Sequence, residues 1–199
     1  MKPNLYEQYL SLKKLGIKTE AKIVLDEFIA SFQSFEEKEN WVRQFLEGGD
    51  FGHKIRYEIY TNLVFPILLK GYSQKDVWSI FWLAKTSQNL YTNASLHAVI
   101  EFKSEFQLLA EAYALEPTEQ IRLHLLKELI RWFNYSQHEW PSGILYGVNG
   151  ASIEECDGIL LNVEFARELD QDNVYEPILD DFEAKVRAYQ DRLAKRDDV

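Results

Sequence analysis

Apolar residues recur three and four positions apart along most of the chain, which is the spacing of one face of an α-helix. The last such face runs through Leu179, Phe182, Val186, Tyr189 and Leu193. No stretch alternates apolar and polar residues convincingly, as a half-buried strand would. The pattern therefore predicts an all-α protein of about nine helices. They are expected to form a single-domain bundle or an irregular α–α superhelix.

Caps and breakers predict where several of these helices begin and end. Ser34 and Ser152 each open a Ser-x-x-Glu sequence, the pattern of an N-terminal capping box. Ser73 opens a similar run and predicts a helix containing Val77–Ala84, which is apolar nearly all round and should be deeply buried. Pro66 predicts a kink or an end in the preceding helix. Gly71 predicts a stop.

One further helix is predicted from residue 92 or 93 to about residue 116. Its apolar face would hold Val99, Phe102, Phe106, Leu109 and Tyr113.

Composition fits a packed cytoplasmic protein. The chain has 199 residues, enough for one domain with its own core. Cys156 is the single cysteine, so no intrachain disulfide can form, which fits a reducing compartment. The N-terminal sequence lacks the features of a signal peptide, and no apolar run is long enough to span a membrane. We therefore predict a cytoplasmic location without a membrane partner.

Acidic and basic residues are distributed unevenly along the chain. Residues 1–100 contain 12 basic and 11 acidic residues, whereas residues 101–199 contain 10 and 21. Between Glu139 and Glu183 there are 12 acids and one base, Arg167. This pattern predicts a near-neutral body (1–138), a loop (138–152) and an acidic helical arm (152–199). The acids indicate either a solvated surface or a docking face for a basic protein. Direct nucleic-acid binding is disfavoured because no dense Lys/Arg cluster is present.

The loop reads HEWPSGILYGVNGAS and borders the acidic arm. One interpretation is a structural crossover in which Gly and Pro residues break one helix and lead into the next. The other is an exposed binding loop with aromatic anchors. On the second interpretation we predict that a partner contacts Glu139, Trp140, Tyr146, Glu154, Glu155 and Asp157.

Other reactive residues favour structural roles. His97/Glu101 and His124/Glu128 have helical spacing, but the Glu-x-x-His motif of di-iron bundles is absent and solvated pairs are expected. Cys156 is flanked by acids that disfavour a thiolate, which predicts an inert core residue. No phosphate-binding loop, nucleophile elbow or zinc-protease motif occurs. We predict no catalytic residue, no metal ligand and no cofactor.

The predicted function is a non-enzymatic protein-binding module whose acidic C-terminal face engages a basic protein. That partner could be a toxin or a nucleic-acid-binding protein, by analogy with immunity and antitoxin proteins. The alternative is an enzyme or small-ligand binder with an aromatic pocket involving Trp78, Trp82 and Trp132, and His138 or Glu139 as acid or base. The chain is expected to be a monomer, or a homodimer joined along the Leu179–Leu193 face.

Overall fold

The computed structural model describes residues 3–49 and 54–197, and its fold is all-α, as the apolar spacing predicts. Contacts along the chain define two compact units, Met1–Ala112 and Tyr113–Val199. The single domain with a loop at 138–152 stays a prediction. Among the described residues, no helix has the length and apolar character needed to cross a bilayer.

Helices account for nearly all of the regular structure in the first unit. They are α1 (Pro3–Lys14), α2 (Lys18–Ala30), α3 (Phe35–Gly48), α4 (Tyr57–Ile59), α5 (Phe65–Ser73), α6 (Val77–Lys85), α7 (Ser87–Tyr91), α8 (Ala94–Val99) and α9 (Glu105–Leu115). A π-helical turn, Tyr60–Val64, joins α4 to α5. The helix that precedes Pro66 begins at Tyr57, and residues 50–53 lie outside the described ranges.

Aromatic rings form much of the core around α1, α2 and α3. Phe28 is fully buried and contacts the rings of Tyr6, Phe32 and Trp41 at centroid distances of 5.1–5.2 Å. Trp41 stacks on Phe45 at 4.8 Å. Offset and edge-on ring pairs of this kind add to the stabilisation from apolar burial. The aromatic-rich composition therefore contributes directly to the packing of the first three helices.

Pro66 widens its helix instead of ending it. The N–H of Phe65 donates to the carbonyl of Tyr60, five residues earlier, and α5 then continues to Ser73. Proline has no N–H and its ring clashes with the carbonyl four residues before it, so a wider turn at this position relieves the conflict. The helix also passes through Gly71, where the sequence predicted a stop.

Gly71 is required by packing. A Cβ at this position would lie 2.6 Å from the Cβ of Ser79, which is closer than real side chains approach. The predicted start of α6 at Ser73 is wrong, since Ser73 is the last residue of α5. The N-cap of α6 is Asp76, whose Oδ2 accepts from the Ser79 N–H at 3.0 Å. As expected, most of α6 is buried.

The helix predicted for residues 92–116 is broken. Helix α8 ends at Val99, and α9 begins at Glu105 after a turn in which Glu101 and Phe102 both have left-handed backbone angles, with φ of 58° and 56°. Val99 and Phe102 are consequently 52% and 60% exposed instead of sharing a buried face. The apolar spacing here resembles a helix, but two left-handed residues interrupt the backbone between its two halves.

The second unit contains three long helices and one short hairpin. They are α10 (Glu119–Ser136), β1 (Leu145–Tyr146), β2 (Asn149–Gly150), α11 (Ile153–Leu169) and α12 (Glu176–Asp197). Helix α11 packs on both α10 and α12. The rings of Phe133 and Phe182 stack at 4.6 Å between α10 and α12.

The C-terminal apolar face is part of this core. Leu179, Phe182 and Val186 are fully buried within the chain. They are therefore occupied by internal packing and do not offer the dimer seam that was considered from the sequence.

Candidate functional site

Residues 145–150, within the predicted loop, form a short hairpin. Strands β1 and β2 pair antiparallel through Leu145–Gly150 and Tyr146–Asn149, joined by a two-residue turn. Gly147 occupies the first turn position with φ of 63°, the position that favours glycine in a type II′ turn. The strands are too short to produce a visible alternation in the sequence.

Buried residues and α12 hold this hairpin in place. Ile144 and Ala151 are buried on either side of it, and the Ala151 N–H donates to the Ile144 carbonyl at 2.7 Å. A Cβ at Gly150 would lie 2.8 Å from the hydroxyl oxygen of Tyr189. The crossover interpretation therefore accounts for the base of the hairpin, whereas its turn projects outward with Val148 88% exposed.

The two predicted aromatic anchors have different environments. The Arg192 guanidinium lies over the Trp140 ring at 5.0 Å and donates to the Pro141 carbonyl at 2.7 Å. Trp140 is half-buried and serves this internal contact. Tyr146 is 46% exposed and meets Trp132 edge-on at 6.2 Å. Of the two, Tyr146 offers more surface to a partner.

The predicted acidic contacts also separate into internal and outward groups. Glu155 completes the capping box: its Oε2 accepts from the Ser152 N–H at 2.8 Å while Ser152 Oγ accepts from the Glu155 N–H. Its carboxylate is thus used by the helix start. Glu154 and Asp157 are exposed, although Asp157 also accepts from Gln190 at 2.7 Å. Glu139 is exposed and contacts His138.

Much of the remaining acidity is neutralised inside the second unit. The Arg167 guanidinium forms ion pairs with Glu176, Asp180 and Glu183 at 2.7–3.2 Å, which joins α11 to α12. These contacts lower the pKa of the Glu183 carboxyl, with a further contribution from Arg187. The single base of the acidic segment is therefore surrounded by three of its acids.

Asp170 has a separate structural role after α11. It is buried, and its carboxylate oxygens accept from the backbone N–H groups of Val174 and Tyr175 at 3.1 and 2.6 Å. Those bonds fix the turn that leads into α12. Asp170 is consequently unavailable to a partner.

The outward-facing acids of α11 line one exposed side of the helix, called here the outer face. It consists of Glu154, Asp157, Gly158, Leu161, Glu164 and Glu168. These positions are three and four apart, so they line one side of the helix over about 21 Å. Leu161 is 66% exposed at its centre. No ion pair among the described residues involves Glu164 or Glu168.

Part of this face could be predicted from the sequence. Glu164 and Glu168 belong to the acidic segment, and their spacing places them opposite the buried Ile159 and Val163. The predicted contacts instead concentrated on residues near the loop. Leu161 was missed because a single leucine at helical spacing gives no sign of which side is covered.

Cys156 is fully buried on the opposite side of α11. Burial raises the pKa of its thiol to about 11, and the nearby Asp157 and Glu155 act in the same direction. A protonated, enclosed thiol is a poor nucleophile.

The two His–Glu pairs belong to different units, His97/Glu101 to the first and His124/Glu128 to the second. The broken helix removes the regular spacing of His97 and Glu101, and His97 Nε2 contacts the Lys103 carbonyl at 2.9 Å. In the second unit, Glu128 forms an ion pair with Arg131. No group of three or more potential metal ligands occurs within residues 3–49 and 54–197.

A polar cleft of about 180 Å³ lies in the first unit between α3, α5 and α6. Its lining includes two acids and two bases. Glu39 pairs with Arg43 at 3.1 Å, and the Lys70 ammonium lies 4.0 Å from the Phe35 ring centroid. Trp78 and Trp82 belong to the same unit but do not line this cleft. The cleft therefore differs from the aromatic pocket considered from the sequence.

Comparison with known protein families, characterised proteins and solved structures finds no match to this chain.

Proposed function

We propose that this protein is a non-enzymatic binding module that engages a basic protein partner through the outer face of α11. The observation that carries the proposal is the arrangement of four exposed carboxylates around the exposed Leu161. An apolar centre with a charged rim is typical of protein interfaces. The carboxylates would guide a basic partner to the face, and Leu161 would be buried in the contact.

The internal electrostatics of α11 favour such a partner. Glu164 and Glu168 are four residues apart on one helix, a spacing at which like charges destabilise the helix by a few tenths of a kcal/mol. Arg167 is already paired with acids of α12. A basic partner would relieve this repulsion, because no cation among the described residues pairs with Glu164 or Glu168.

The partner class follows from the charge. A toxin or another nucleic-acid-binding protein presents the basic surface that the outer face complements, and occluding that surface is how an immunity or antitoxin protein would act. We propose a cytoplasmic location for this interaction, consistent with the single buried thiol. The exposed Tyr146 and Val148 of the hairpin would supply secondary contacts.

Selective neutralisation of the outer face tests the proposal. Glu154, Glu164 and Glu168 are replaced by glutamine and Asp157 by asparagine. Glu155 is left intact because it caps the helix. Proteins retained by immobilised wild-type chain in a lysate of the native host are identified and purified. Their affinities are then measured over a range of ionic strength.

The neutralised chain should bind such a partner about tenfold or more weakly at low salt, and the difference should shrink as salt is added. The matched control replaces Glu7, Glu20, Glu27 and Glu36 by glutamine, which changes net charge equally at exposed positions of the first unit. Equal loss of affinity in both variants would indicate nonspecific attraction. Unchanged binding by the neutralised chain would refute the proposed face.

A further inference from the structure

Gly158 is an unexpected residue in the middle of α11. It is exposed on the outer face, and a Cβ built there would meet no heavy atom within 4 Å. Glycine is less favourable than alanine inside a helix because its unfolded backbone has more freedom to lose. Neither close packing within the described chain nor a left-handed backbone requires glycine at this position.

The absence of a side chain creates a shallow gap beside Leu161. Residues three apart are neighbours on a helix surface, so Gly158 and Leu161 lie side by side. Glu154 lies one turn before them, and Glu164 and Glu168 lie beyond them. The distance between two packed helices depends on the side chains at their contact, and a glycine permits the closest approach.

We propose that the basic partner docks as an amphipathic α-helix that crosses α11 at Gly158. This inference rests on the proposed function and specifies how the partner binds. The partner's apolar residues would pack against Leu161 while its lysine or arginine side chains face the surrounding carboxylates. The charge complementarity and the open glycine together define the occupant.

A helix suits this face better than an extended peptide does. Extended peptides gain affinity by adding main-chain hydrogen bonds to a sheet edge. The N–H and C=O groups inside α11 are already bonded along the helix, so the outer face has no such edge to offer. The available contacts come from side chains at helical spacing, which another helix can match.

Two synthetic peptides of about fourteen residues, each about 21 Å long as a helix, provide the test. Both contain equal numbers of leucine and lysine. One has the helical order with leucines three and four apart, and the other alternates them as in a strand. Affinities are measured with three forms of the full chain: the unchanged protein, the Gly158→Gln variant and the Ala184→Gln variant. Ala184 is an exposed position of α12 and supplies the matched control.

The helical-order peptide should bind about tenfold more tightly than the alternating one. Gly158→Gln should remove most of that preference, whereas Ala184→Gln should leave it unchanged. Thermal unfolding should show that Gly158→Gln is at least as stable as the original chain, because glutamine is a better helix former. Reduced binding without reduced stability separates a docking effect from misfolding.

Equal affinity for the two peptides, failure of both to bind, or insensitivity to Gly158→Gln would overturn helix docking. The variant with four neutralised carboxylates separates this failure from failure of the proposed function. If both peptides lose binding in that variant while Gly158→Gln has no effect, the acidic face is still supported as the binding site. Only the helical mode of docking is then excluded. If neutralising the four carboxylates leaves the affinity for the peptides unchanged, both proposals are contradicted.

Discussion

Replacement of Gly71 by alanine brings a new Cβ within 2.6 Å of the Ser79 Cβ and still closer to the Ser79 hydroxyl oxygen. The serine cannot simply rotate away without loss, because its Oγ donates to Asp76 at 2.6 Å in the cap of α6. Overpacking costs about 1–3 kcal/mol. Loss of this hydrogen bond costs about 1 kcal/mol. The higher helix propensity of alanine returns about 1 kcal/mol.

Gly71→Ala should therefore lower the free energy of unfolding by about 1–3 kcal/mol. The same substitution at Gly158 meets no neighbouring atom and should raise it by about 1 kcal/mol. Urea denaturation followed by far-UV circular dichroism measures both. The pair is informative because the chemical change is identical and only the surroundings differ.

A second-site change tests the cause directly. Ser79→Gly removes the two atoms that the new Cβ would approach most closely, so the double variant Gly71→Ala/Ser79→Gly should be more stable than the sum of the single effects predicts. Strict additivity would show that the contact between α5 and α6 is not the source of the loss. A Gly71→Ala chain as stable as the original would refute the packing argument altogether.

Three further predictions concern the second unit. Because Arg167 holds the pKa of Glu183 below 4.5, the stability gained from ionised Glu183 should be present above that pH and lost as pH falls through the lower folded-state value. Glu183→Gln should thus be less stable than the original at pH 7 in thermal unfolding, with a smaller difference in acid. Cys156 should resist a thiol-specific dye at pH 8 until urea unfolds the chain, since burial raises its pKa to about 11. Asp170→Ala should cost about 1–3 kcal/mol in urea denaturation by leaving two backbone donors unpaired, and an unchanged midpoint would contradict its capping role.

The capping signals at Ser34 and Ser152 predicted helix starts well, whereas the similar signal at Ser73 did not. Ser152 and Glu155 form the complete reciprocal cap. Ser34 accepts from the Glu37 N–H as expected, but the Glu37 carboxylate accepts from the Gln33 N–H, one residue earlier than the pattern predicts. Caps depend on neighbouring residues, so sequence patterns recover them without knowledge of the tertiary structure.

Sequence signals failed to predict the structure where packing between residues distant in sequence determines the backbone conformation. The left-handed residues Glu101 and Phe102 carry none of the glycine or asparagine signals that mark such turns. Gly71 looks like a helix stop until α6 is placed beside it. The hairpin strands have two residues each, too few for alternation to be recognised.

The sequence shows that the C-terminal part of the chain is acidic, but it does not show which of its acids are exposed. Counting residues shows an acidic segment, but it does not show that Arg167 is surrounded by acids from another helix or that Asp170 is buried in a turn. Those assignments require α11 and α12 to be side by side. Only then do Glu164 and Glu168 stand out as exposed acids of α11 that pair with no cation among the described residues.

The burial of the thiol also makes this chain convenient for site-specific labelling. Cys156 is the only cysteine in the sequence, and it is enclosed in the native fold. A cysteine introduced at Val148, on the exposed hairpin turn, would react with a maleimide dye while the thiol of Cys156 remains unreacted. Fluorescence from that single dye could report partner arrival in real time without first removing a core residue.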